Sequence, residues 1–136
     1  MAKPWLSTAA LVGALYLATG VASAALAGAA GSGRMVLFWR WSAFVISAVL
    51  FAAHIAHEHV RLASPVGRTA WHAAVAAALG GFGLAVAANI HDLASASGYR
   101  PRMLVALAAW PLLTGVPAFL VALGAAAGLG ARRPRA

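Results

Sequence analysis

The chain has 136 residues, of which 63% are hydrophobic and 9% charged, against roughly 25% charged in a soluble globular domain. That composition excludes an ordinary water-soluble fold, and the lack of cysteine excludes disulfides, thiolate metal sites and cysteine nucleophiles. The net charge of +8 does not make a nucleic-acid interface, because the cations fall one to three at a time at the ends of apolar segments instead of clustering on a face.

A membrane-spanning helix needs about 20 consecutive apolar residues, and four such stretches follow one another, at 5–30, 36–60, 69–93 and 103–129. The reading is therefore an all-α, four-helix antiparallel transmembrane bundle with short loops, a single integral membrane domain over 1–136. Backbone groups in lipid must be satisfied internally, so each span is helical. Short connections make consecutive helices antiparallel neighbours.

The first segment begins after Lys3 and contains Ala22-Ser23-Ala24, the form of a secretory signal with its small-residue cleavage site. Its apolar run continues to Ala30, longer than a signal core, so a retained helix is expected. Gly13, Gly20, Ala24, Ala27 and Gly31 fall on one stripe of this segment, and Ala76, Gly80, Gly83 and Ala87 on one stripe of the third. Stripes of this kind let helix backbones approach closely in lipid. Trp5, Trp39, Trp41 and Trp71 lie near span ends, where aromatic anchors sit.

The second segment carries the chemistry. On an ideal helix Arg40, Ser47, His54, Glu58 and Arg61 fall within about 60° of one another, with His57 about 40° further round and His59 pointing away. Ionisable side chains in a span face the bundle interior or a wet cleft and mark functional sites. His57 precedes Arg61 by four residues and His72 follows Arg68 by four, which puts both imidazoles about 6 Å inside their helix ends. The expected site is thus His54, His57 and His72 as cofactor ligands. Glu58 joins His54, His57 and His72 if the ligand is a divalent metal.

Three chemistries suit such a set. A haem b or other tetrapyrrole takes axial imidazoles, a first-row metal takes imidazoles with a carboxylate, and a proton path uses His and Glu with a nearby Arg. No catalytic residues are assigned. The expected function is a non-enzymatic haem-, tetrapyrrole- or metal-binding subunit. The alternatives are a small proton-coupled transporter or channel, and a structural subunit of a larger membrane complex.

The stretch His54-Ile-Ala-His57-Glu58-His59 … Pro65-Val-Gly67-Arg68 resembles the His-rich turn between helices in membrane anchors of the succinate dehydrogenase and fumarate reductase family. The resemblance covers residues 54–68 alone and implies a class of chemistry, not a family membership.

A second polar group is expected at the other end, where Arg40 would meet His91 and Asp92, with Asn89 nearby. Pro111 and Pro117 interrupt the backbone bonding of the fourth segment and should kink it. With the N-terminus inside, Lys3, Arg61, Arg68, Arg132, Arg133 and Arg135 lie on one side, and Arg34, Arg100 and Arg102 on the other. The positive-inside rule then puts both termini in the cytoplasm. The partners expected are the lipid bilayer and other membrane subunits or a second copy, and no nucleic acid.

Overall fold

The computed structural model describes residues 4–94 and 103–131. They form four helices, α1 (Pro4–Gly28), α2 (Gly33–Ala56), α3 (Val66–Ala94) and α4 (Met103–Ala131), and α2 runs on into a π-helical turn, His57–Arg61. The arrangement is an antiparallel bundle, and all four helices are long and apolar enough to cross a membrane. The connection between α3 and α4, with Arg100 and Arg102, lies outside the described residues.

Local chemistry sets the boundaries. Gly28 closes α1, and Ser32 starts α2 by accepting a hydrogen bond from the Met35 amide (3.4 Å) while its own backbone is extended. This is ordinary N-capping. Pro65 has no amide proton to lose and sits just before α3, with its carbonyl accepting from Thr69 N at 2.9 Å. Pro111 and Pro117 are accommodated inside one continuous α4. Thr114 lies between them and donates to Trp110 O (2.8 Å) and across to Ala77 O of α3 (3.2 Å).

α3 is the central helix, packed between α1 and α4, and contributes more of the buried residues than any other helix. Without a hydrophobic drive between helices in lipid, close packing must come from small side chains. A Cβ on Gly13 would stand 2.9 Å from Leu79 Cβ and 3.1 Å from Ala76 O, and one on Gly80 would stand 2.7 Å from Tyr16 Cβ. On its other side α3 presents Gly81 to Thr114 and Trp110, while Gly115 of α4 approaches Ala78 and Ala74. Only part of the expected first-segment stripe takes part. Gly31 meets nothing within 4 Å, and Ala24 and Ala27 border a groove toward α2.

α2 lies obliquely. Its first half leans on α1, and its last turn reaches α3 and α4, where Ile55 is buried among Ala70, Ala73, Ala122 and Ala126 with Phe51 and Phe119 alongside. Its outer face, with Phe38, Trp41, Phe44, Val45 and Val49, is exposed, as suits a lipid-facing surface.

Candidate functional site

The C-terminal end of α2 does not continue as an α-helix. In the π turn the Leu62 amide bonds to His57 O at 3.1 Å, an i→i+5 link, and the Ser64 amide closes on Glu58 O at 3.0 Å. A π ring holds one residue more than an α ring, so the inward azimuth is delayed by one position. The side chains that enter the bundle are His54, Glu58 and His59, while His57 and Arg61 are exposed. His57 is therefore removed from the expected ligand set, and His59, expected to point away, is buried.

Ala63 lets the chain reverse by adopting φ 49°, a left-handed conformation that costs a non-glycine residue about 1–2 kcal/mol. Ala63→Gly should raise stability, by about 0.5–1 kcal/mol once the greater freedom of glycine in the unfolded chain is counted. Reversible denaturation in mixed micelles checks it; a destabilised A63G would mean that the turn geometry is different.

Three elements close around Glu58, whose side chain is 1% exposed. Its Oε2 accepts from Ser64 Oγ at 3.2 Å and lies 2.9 Å from His72 Nδ1 of α3; with the carboxylate ionised, the imidazole donates. From α1, Trp5 stacks on the His72 ring, with centroids 4.5 Å apart and planes 2° from parallel. The other oxygen, Oε1, faces His54 Nε2 one helical turn earlier at 3.9 Å, beyond hydrogen-bond range. Neither Glu58 Oε1 nor either ring nitrogen of His54 has a hydrogen-bond partner, although all three atoms are buried. Orphaned buried polar atoms cost about 1–3 kcal/mol each and call for a reason.

The turn itself is held from within. His59 Nδ1 donates to Ser64 O at 3.0 Å, and Thr69, fully buried, donates its hydroxyl to the same carbonyl at 3.5 Å. A Cβ on Gly130 of α4 would come within 3.5 Å of His59 Nε2, so all four helices meet at this end of the bundle.

His54, Glu58 and His72 come together, but not as a metal cage. The closest approach within the set is a carboxylate–imidazole hydrogen bond, His57 is outside it, and no group of three or more His, Asp or Glu among the described residues is placed to hold a metal ion. A haem held by two of the three expected imidazoles loses one choice with His57, which is exposed. Three contributors to the site carry no such signal in the sequence. Trp5 looks like an interfacial anchor, Ser64 like a loop breaker, and His59 like an outward residue; only the position of Trp5 near the same end as His72 hinted at its role.

The opposite end corrects another expectation. Arg40 does not meet His91 or Asp92. It lines a groove against Ser23, Ala24, Ala27 and Gly28 of α1, because α2 packs on α1 here and reaches α3 only at its other end. His91 is exposed. Asn89 is buried and its Nδ2 donates to Ala85 O and to Met103 O, both at 2.9 Å, joining the end of α3 to the start of α4.

No family model, curated protein or solved structure matches the chain, so the residues themselves carry the functional argument.

Proposed function

We propose that this chain is a small polytopic membrane protein that binds and releases a proton at Glu58, His72 and His54, and that it acts as a proton-coupled transporter or channel. The observation that supports the reading is a fully buried carboxylate with one oxygen on His72 Nδ1 at 2.9 Å and the other unpartnered, facing His54 at 3.9 Å.

A carboxylate in a dry interior is tolerated only when paired or protonated. One proton satisfies the Glu58–His72 pair, whether it resides on nitrogen or oxygen. Removing that proton leaves a bare buried anion, and adding a second leaves a buried net cation on one of the two imidazoles. Each state is relieved by admitting water, so proton number is coupled to packing at the α2–α3 turn. The π turn is the responsive element. Its conversion to an α turn would carry His59 outward and His57 inward by a one-residue shift of face. Ala76 to Ala87 of α3 contain no titratable residue, so protons cross the remaining depth along water.

In liposomes, the wild-type protein should pass protons under a membrane potential, and Glu58→Gln or His54→Ala should abolish the flux. Unchanged flux in both variants would contradict the proposal. So would purified protein carrying stoichiometric haem or metal that His54→Ala or His72→Ala removes.

Both termini are assigned to the cytoplasm from the six cations on their side against three on the other. That places the proton site in the cytoplasmic half.

A second reading is a subunit of a larger membrane complex. It is favoured by Gly124 and Gly128 of α4, which have no neighbour within 4 Å of where a side chain would begin and form a small-xxx-small spacing suited to another helix. Copurification of a second membrane chain, lost on Gly124→Leu, would support it.

A further inference from the structure

The groove between α1 and α2 has a volume of about 500 Å³ and is lined by Gly20, Ser23, Ala24, Ala27, Arg40 and Phe44 among others. Small side chains of α1 make its floor, and Phe44, 74% exposed, stands at its lip. Its walls are apolar except at Ser23 and Arg40. Arg40 lies seven residues into α2 from Gly33, which is about 10 Å from the helix start.

A guanidinium at that depth is costly unless it reaches the interface or finds an anion. Among the described residues no carboxylate pairs with it. The chain has two acidic residues against ten Lys and Arg. Glu58 is engaged by His72 at the far end of the bundle. A cation set in an apolar furrow between Val36 and Phe44 complements an anionic headgroup with its acyl chain attached. Arginine is suited to phosphate because its donors form a planar fork.

We propose that this groove binds one anionic phospholipid, with its phosphate on Arg40 and an acyl chain along the furrow beside Ala24, Ala27 and Phe44. The site is independent of the proton-binding residues.

The test is lipid retention by protein purified from micelles containing equal phosphatidylglycerol and phosphatidylcholine. The wild type should retain phosphatidylglycerol in preference by about fivefold, the effect of a single cation at a membrane surface. Arg40→Gln should abolish the preference and Arg40→Lys should keep part of it. Ala24→Leu, which fills the furrow and leaves Arg40 in place, should abolish it too. Arg34→Gln removes a cation outside the groove and should leave the preference intact. A preference that survives Arg40→Gln or Ala24→Leu would overturn the proposal in favour of general surface charge, as would its loss in Arg34→Gln. Competition by millimolar inorganic phosphate would also overturn it, because a free anion would then be the ligand.

Discussion

Glu58→Ala is expected to lower the free energy of unfolding by about 3 kcal/mol, the scale of a buried ionic pair broken on one side. The deletion strands His72 Nδ1 and Ser64 Oγ and opens a void beside His54. Membrane hydrogen bonds often measure less than this, because the unfolded chain in lipid finds other partners. Here, however, the carboxylate ties α3 to the π turn and to Ser64 at once. Glu58→Gln retains shape and an acceptor for Ser64, so its cost should be about 1 kcal/mol. Glutamine has no exchangeable charge state, and the two variants therefore separate packing from proton chemistry. Steric trapping or reversible denaturation in bicelles gives both values. A cost below about 0.5 kcal/mol for Glu58→Ala, the level of an ordinary surface change, would show that the network does not hold the turn.

The second large effect is expected where α1 meets α3. Gly13→Leu places a branched side chain where even a Cβ lies 2.9 Å from Leu79 Cβ and 3.1 Å from a backbone carbonyl. The carbonyl cannot swing aside, so the helices must separate. The expected cost is about 3 kcal/mol, at the upper end of overpacking. Separation also withdraws Trp5 from the His72 ring, so the variant should lose proton flux though it is remote from Glu58. Gly28→Ala is the contrasting change. It meets nothing within 4 Å and replaces glycine with a better helix former, so stability should be unchanged or rise by up to about 1 kcal/mol. Equal effects at Gly13 and Gly28 would mean that close backbone approach is not what joins α1 to α3.

How far these features were legible in the sequence differs by level. Four apolar runs separated by Gly31-Ser32-Gly33 and Ser64-Pro65-Val66-Gly67 gave the helices to within a few residues, because span length and breakers are local properties. Glu58 and the imidazoles at 54 and 72 could be placed near one another from depth and turn length alone. The exchange of His57 for His59 could not. It depends on the π turn, and that turn is fixed by contacts across the fold: Ser64 folding back on Glu58, and Thr69 and His59 sharing the Ser64 carbonyl. Ideal helical geometry has no way to register an extra residue imposed from outside. The misplaced Arg40 has a similar cause. Short loops make neighbours of consecutive helices, but the tilt that takes α2 from α1 at one end to α3 and α4 at the other depends on which side chains are small enough to meet.

The account stands or falls on whether Glu58 and His72 share a proton inside the bundle. Infrared difference spectroscopy of the protein in bilayers, with the carboxyl band assigned by Glu58→Gln, reads this directly as pH is stepped. The expected result is a Glu58 carboxyl signal whose titration moves when His72 is replaced by Ala, with His54→Ala altering it as well. A Glu58 signal that titrates identically with and without His72, as an isolated carboxyl in water would, contradicts the account.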